Sequence, residues 1–328
     1  MDEFKEHYET LISEKSHGLL MCGLNLANKI ITLKPDTRTK FAPGSKKLIR
    51  LLKDISTQYS SEFDVDGVND PFLQVTMLKF LAKVATEGDL KEEFSSLLAT
   101  LTNNLPTRTN VGSGNNISSN ACNCILYECV KIIMEIDAAK TLKKVGVSIL
   151  GSFLGYKDVN SKYISLKALL AASKNHTKAV QKNLSTILDC LKEDDLSLRR
   201  MTLDILKIIS STDLIANIMS HLFNDMLVSK KEFVEDMTPA VCFIIENHSP
   251  SKIWYFTSML RVLVIAGNYV NEDSINNLIN VLSNTPEIQA YALYKLYLAL
   301  CENQDQEGLA KTMFWLMGEH VGKKGSKN

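Results

Sequence analysis

Leu142 to Ser173 reads LKKVGVSILGSFLGYKDVNSKYISLKALLAAS, and Ala179 to Ser210 reads AVQKNLSTILDCLKEDDLSLRRMTLDILKIIS. The second stretch follows the first at an offset of 37 residues. Val147, Leu150, Phe153 and Leu154 fall on Leu184, Ile187, Cys190 and Leu191, which are apolar positions at helical spacing. Val159, Ile164, Leu166, Leu169 and Ala172 then fall on Leu196, Met201, Leu203, Leu206 and Ile209. A unit of two helices repeated at this length buries its faces against its own copies, the signature of stacked repeats. The expected fold is all-α, an α-α superhelix of the HEAT/armadillo solenoid type, with one elongated body rather than several separate cores.

The rest of the chain agrees with this reading. Strand signals are nearly absent, and Gly and Pro mostly sit at the ends of periodic runs. Asp70 with Pro71 opens a helix whose inward stripe is Leu73, Met77, Leu78 and Leu81. Ser249 with Pro250 is expected to start a helix carrying Trp254, Met259, Leu260, Val262 and Leu263 and ending near Gly267. Asn271 or Asp273 starts the next, with Ile275, Leu278, Ile279 and Leu282 inward. Residues 103–120 (NNLPTRTNVGSGNNISSN) lack periodicity and are expected to form a mobile loop. The domain expectation is thus a helical-repeat body over 1–322 and a short basic tail over 323–328.

With 328 residues, 45% hydrophobic content and zero net charge, the chain has no global attraction to nucleic acid or to an anionic membrane. Charge is distributed unevenly along it. Residues 140–210 carry 13 Lys/Arg against 6 Asp/Glu, and residues 211–320 carry the inverse, 6 against 13. The seven cysteines are mostly set in apolar helical stretches, without disulfide-framework spacing, so a reducing compartment is expected. The charged N-terminal stretch MDEFKEHYETLISEK does not read as a signal peptide, and no run reaches the roughly 18 apolar residues of a membrane span. The expected location is cytoplasmic, with the N-x-S/T triplets at Asn116, Asn175, Asn183 and Asn247 unmodified.

Candidates for chemistry fail one after another. Cys122, Cys124 and Cys129 lack the further pair that a four-ligand zinc site needs, and the six histidines include no metal-binding pair. Gly151-x-x-x-Gly155-Tyr156-Lys157 has too few residues between its glycines for a phosphate loop and ends in Asp158 where a hydroxyl should hold the metal. No nucleophile elbow or paired-carboxylate cleft can be assigned, so no catalytic residue, metal or cofactor is expected. Asp158 with Lys162, and Asp195 with Arg199, stand four apart at equivalent repeat positions. One reading is a pair of helix-surface ion pairs, each contributing about 0.3 to 0.5 kcal/mol. The other is a basic surface of Lys157, Lys162, Arg199, Arg200 and Lys207 that meets an acidic partner.

A family resemblance runs the length of the chain. It is carried by Glu14-Lys15-x-His17-Gly18-x-Leu20, Gly67-Val68-x-Asp70-Pro71-Phe72-Leu73-Gln74-Val75 and Asn123-x-Ile125-Leu126-Tyr127-Glu128-Cys129-Val130. It continues through Ile149-Leu150-Gly151-x-Phe153-Leu154, Ala179-Val180-Gln181, Ser185-Thr186-Ile187-Leu188-Asp189-Cys190-Leu191-Lys192 and Pro250-Ser251-Lys252-x-Trp254. Arg261-Val262-Leu263, Ala266-Gly267-x-Tyr269-Val270 and Gly318-Glu319 complete the set. In these stretches the chain resembles the central part of the trunk of the large adaptin subunits of clathrin adaptor complexes, the γ type most closely. Cys122 and Cys124 stand where that family tends to have Gly and Ala, and the loop ending at Asn120 is longer than usual.

The resemblance implies a non-enzymatic scaffold in a heterotetramer with β-type large, medium and small chains. Such a complex sorts cargo and forms clathrin-coated vesicles at the trans-Golgi network and endosomes, as a peripheral membrane assembly. It also implies ADP-ribosylation factor GTPase and clathrin as partners, although the early basic residues for phosphoinositide contact, part of the GTPase surface, the clathrin-binding hinge and the ear have no counterpart in these residues. Two alternatives remain open: the large subunit of the plasma-membrane endocytic adaptor, and a general helical-repeat scaffold such as a nuclear transport receptor.

Overall fold

A computed structural model describes residues 7–8, 10–57, 62–65, 67–104, 118–136 and 138–324. The chain forms two compact units, Met1–Lys157 and Asp158–Asn328. In the first lie α1 (His17–Leu33), α2 (Ser45–Thr57), α3 (Pro71–Val84), α4 (Gly88–Asn104), α5 (Ser118–Glu135) and α6 (Lys140–Leu154). A two-residue antiparallel hairpin, β1 (Asp64–Val65) and β2 (Val68–Asn69), precedes α3. Its turn is closed by Gly67, whose φ of 85° only a residue without a Cβ adopts cheaply. In the second unit lie α7 (Val159–Val180), α8 (Leu184–Asp189), α9 (Leu196–Ile209), α10 (Ile215–Val228) and α11 (Lys231–His248). They are followed by α12 (Lys252–Ala266), α13 (Glu272–Ser283), α14 (Pro286–Glu302) and α15 (Glu307–Lys324).

Packing within each unit follows the solenoid rule, with helices touching a hairpin neighbour or the helix two further on. In the first unit α1, α3 and α5 pack in succession, and α2 against α4; in the second α7, α9 and α11 do so, and α13 against α15. This is the HEAT/armadillo type of fold, with a core that continues from repeat to repeat.

The internal repeat is visible residue by residue. Each of the pairs Val147 and Leu184, Leu150 and Ile187, Phe153 and Cys190, Leu154 and Leu191 is buried. So are Leu166 and Leu203, Leu169 and Leu206, and Ala172 and Ile209. Even the polar pair Ser165 and Thr202 is fully buried, with the Thr202 hydroxyl donating to the Leu198 carbonyl one turn back. Val159 and Leu196 differ from expectation: they are 43% and 37% exposed. Both are the first helical residue after an N-cap, where the chain has not yet turned its apolar face inward.

The two copies are built differently at their first helix. In copy one it is the regular α6; in copy two it is a relay of a 3₁₀ turn at Gln181–Asn183, α8, and a 3₁₀ turn at Cys190–Lys192. The break between copies is a kink inside α7 at His176, with φ −131° and ψ 37°.

Helix starts explain much of the local order. Asp158 accepts from the Asn160 and Ser161 amides, and Asp195 from the Ser197 and Leu198 amides, so the equivalent aspartates cap equivalent helices. Replacing Asp195 with alanine is expected to cost about 1 kcal/mol, read as a lowered urea midpoint, while Asn retains most of the cap. Asn271 caps α13 as expected, accepting from the Ser274 amide. The cap of α12 is Ser251, accepting from the Trp254 amide, two residues later than the expected Ser249. Pro250 therefore lies ahead of the cap instead of inside the first turn.

The loop expected over residues 103–120 is shorter at both ends, because α4 continues through Asn104 and α5 begins at Ser118; residues 105–117 lie outside the described residues. The expected basic tail likewise begins inside α15, which runs to Lys324, and residues 325–328 lie outside the described residues.

One close approach depends on two glycines. A Cβ on Gly308 would lie 2.4 Å from the Gly267 carbonyl oxygen and 3.2 Å from Leu263 Cδ2. Asn268 fixes this junction, its side-chain oxygen accepting from the Glu307 amide at 2.7 Å and its side-chain nitrogen donating to the Asp305 carbonyl. Gly to Ala in a helix ordinarily gains about 1 kcal/mol of propensity. Here the sign reverses: Gly308→Ala is expected to destabilise by about 1 to 3 kcal/mol through overpacking against backbone, measured by urea unfolding.

Candidate functional site

The five basic residues singled out in the sequence are not a free cationic surface. Lys162 reaches Glu193, and Lys207 reaches Asp204 at 2.6 Å. Arg200 holds Asp236 through Nε at 2.8 Å and a terminal nitrogen at 2.6 Å. Arg199 bonds Asp225 at 2.9 Å and the Ser229 hydroxyl, with its guanidinium 3.6 Å above the Phe233 ring. Lys157, the fifth, is exposed and makes no ion pair among the described residues. Asp225 and Asp236, from beyond residue 210, offset part of the excess of positive charge in 140–210.

These contacts also settle the reading of the spaced pairs. Asp195 is a helix cap, and Arg199 is engaged by the end of α10 instead of by the residue four positions back. Lys162 and Arg199 occupy equivalent repeat positions, and each crosses to an acidic residue of later sequence, 31 and 26 positions on. The spacing approaches the repeat length because the interaction is a tie from one repeat to the next. Sequence reading identified the basic halves of these ties and missed Glu193, Asp225, Asp236 and the Phe233 platform. No local pattern marks them; only the repeat period pointed to where they could be.

Two grooves flank the ties. One of about 440 Å³ is lined by Leu191, Glu193, Arg199, Asp225, Val228 and Phe233. The other, of about 610 Å³, has an apolar floor of Leu170, Ile208, Pro239 and Phe243 beside Lys207 and Asp236. Both present mixed charge over hydrocarbon, a lining suited to holding another polypeptide.

The four buried cysteines are unsuited to nucleophilic work. Cys122, Cys129, Cys190 and Cys242 are buried, and Cys124 points outward from the same helix as Cys122 and Cys129. Burial pushes the Cys190 thiol up to about 11 and the Cys242 thiol up to about 12, and it raises Cys129 as well, so these groups stay protonated near neutrality. No group of three metal-ligating side chains occurs among the described residues. Gly151 is buried within α6 and Gly155 closes its C-terminus, the end of the helix that disfavours an anion.

One His–Asp pair lies among the described residues. His17 Nδ1 lies 2.8 Å from Asp70 Oδ2 and its ring stacks on Phe63 at 4.4 Å. Asp70 is committed to structure, since its other carboxylate oxygen accepts from the Leu73 amide, and its backbone is left-handed with φ 38°. The pair ties the start of α1 to the start of α3. Among the described residues no helix is long and apolar enough to cross a membrane.

Comparison with known proteins identifies the family from sequence and the fold from structure. The family model for the adaptin N terminal region matches residues 1–326. The chain is 34% identical over 324 residues to the AP-1 complex subunit gamma-1 of Arabidopsis thaliana, covering 97% of this chain and 36% of that protein. It is 26% identical over 323 residues to the AP-2 complex subunit alpha-2 of Dictyostelium discoideum, covering 97% and 32%. In structure it resembles a chain of the full-length AP-3 complex, with a TM-score of 0.64 at 14% identity, over 97% of this chain and 56% of the other. The chain thus spans about a third of the length of the relatives it matches. A family match over nearly every residue, on a fold of stacked helical repeats whose buried positions recur from copy to copy, places this chain in the adaptin N-terminal region family.

Proposed function

We propose that the chain acts as a scaffold in a clathrin adaptor complex, as the large subunit of the γ type, assembling with β-type large, medium and small adaptor chains. The observation that carries this reading is the match over residues 1–326, together with higher identity to a γ subunit than to an AP-2 α subunit over the same span. Physically, stacked helices joined by repeat-to-repeat ion pairs give a surface that binds through area and shape, with no reactive group needed. On this reading the chain is not an enzyme and works in cargo sorting and coated-vesicle formation at the trans-Golgi network and endosomes, as a peripheral subunit on the cytoplasmic side. ADP-ribosylation factor GTPase and clathrin are partners of the assembled complex, reached mainly through parts of the family's trunk, hinge and ear outside the stretch matched here.

Co-expression with the small adaptor chains of its own genome tests the proposal. Capture of an AP-1-type small chain in a 1:1 complex is the expected result; recovery of none of them removes the central claim. Localisation separates γ type from endocytic type, because a tagged chain at the cell surface and absent from Golgi membranes contradicts the γ assignment.

A further inference from the structure

The larger of the two grooves beside the ties, of about 610 Å³, crosses three stacked helices: Leu170 and Lys174 come from α7, Lys207 and Ile208 from α9, and Pro239 and Phe243 from α11. Phe243 is 46% exposed, although Cys242 and Ile244 on either side of it are buried, so its ring is hydrocarbon left open at the groove. Each carboxylate in the lining already has a cation, Asp204 taken by Lys207 and Asp236 by Arg200. Lys174 is exposed and makes no ion pair among the described residues. Lys167, two turns earlier on the same face of α7, is likewise exposed and without one. Its repeat equivalent at the 37-residue offset is Asp204, a lining residue, just as Lys207 is the equivalent of Leu170, so Lys167 borders the groove. Both lysines precede the kink at His176, and regular helix sets them about 10 Å apart along one edge. The lining holds no neutral amide or hydroxyl side chain.

We propose that this groove receives one face of an acidic amphipathic helix from a partner polypeptide, its apolar side chains on Leu170, Pro239 and Phe243 and its carboxylates on Lys167 and Lys174. The sign follows from charge complementarity: the groove's own acids are spent on Lys207 and Arg200, and the two cations left without partners are best met by carboxylates two turns apart. The helical form follows from the lining. An extended segment would need partners for its backbone N–H and C=O groups, which a lining without amides or hydroxyls supplies poorly, whereas a helix satisfies its own and offers only side chains. A flat anionic lipid surface fits less well, because it would meet Asp204 and Asp236 as well as the lysines.

The probe is the designed peptide LAQLEQALEQLEQALE, acetylated or fluorescein-labelled at its N-terminus and amidated, whose leucines form one stripe with glutamates along one edge of it. Titrated with the full chain and followed by fluorescence anisotropy, it is expected to bind saturably below about 1 mM, several-fold more weakly as salt rises from about 50 to 300 mM. The matched peptide with lysine for every glutamate is expected to bind at least about tenfold more weakly. Lys167→Glu with Lys174→Glu is expected to cost at least about tenfold in affinity for the acidic peptide, and Phe243→Ala a similar factor. All three side chains are exposed, so the unfolding midpoint stays in place; should Phe243→Ala lower it, the lysine variant alone carries the test. Lys53→Glu, an exposed lysine of α2 in the first unit, is expected to change nothing. Absence of binding, equal binding of the lysine peptide, undiminished affinity in the double lysine variant, or an equal loss in Lys53→Glu overturns the proposal. So does co-sedimentation with phosphatidylcholine–phosphatidylserine vesicles that the double lysine variant abolishes, which assigns the face to a membrane, or a dimer in sedimentation velocity that Phe243→Ala abolishes, which assigns it to a second copy of the chain.

Discussion

Arg199→Ala is expected to destabilise the second unit by about 3 to 5 kcal/mol, the largest single effect among the polar side chains. Arg199 and Asp225 are 14% and 12% exposed, so truncation leaves a carboxylate nearly out of solvent without its counter-charge. The same change removes the bond to Ser229 and the guanidinium stacked on Phe233. Urea unfolding followed by helix signal gives the loss. Arg199→Lys is expected to recover only part, because an ammonium cannot hold Asp225, Ser229 and the ring face together. A double replacement, Arg199→Met with Asp225→Leu, is expected to return most of the stability, since neither charge is then stranded. A loss below about 1 kcal/mol in Arg199→Ala would show the pair to be solvated like a surface bridge, and the repeat-to-repeat tie would fall with it.

Leu203→Ala is the second large effect, about 2 to 5 kcal/mol. Leu203 is 3% exposed on α9, which packs between α7 and α11, so the cavity left by truncation has walls on both sides and little freedom to collapse. Its counterpart Leu166 is equally enclosed, and a loss of the same order is expected there. A cost below about 1 kcal/mol at Leu203 would contradict the assigned inward face. Because the chain forms two compact units, midpoints are best followed with probes in each; Leu203→Ala should lower the second and leave the first in place.

Neither result needs the other, and together they separate two kinds of information. Leu203 was readable in advance because burial in stacked helices is periodic, and a period of 3.6 inside a period of 37 fixes which side chains point inward. Helix starts were nearly as legible: Asp70 and Asn271 are the caps the sequence suggests, and the miss at Ser249 is two residues, caused by a second serine on the far side of Pro250. The equivalence of Asp158 and Asp195 is legible in the sequence, while their role as helix caps is not. An aspartate four residues before a cation fits both a surface pair and an N-cap, and sequence spacing alone does not say whether the aspartate precedes the helix or lies within it.

The amino-acid order by itself determined the helical-repeat fold, the inward faces and the family, because apolar periodicity and the order of family motifs are properties of the linear chain. Only the tertiary structure decided what the charges do. The partners of Lys162, Arg199 and Arg200 lie 26 to 36 residues away, so their roles depend on which elements pack side by side. Hydrophobic burial is averaged over many side chains and survives as a pattern; an ion pair or an unpaired buried oxygen depends on a few ångströms between specific atoms, a distance that exists only once the helices have stacked.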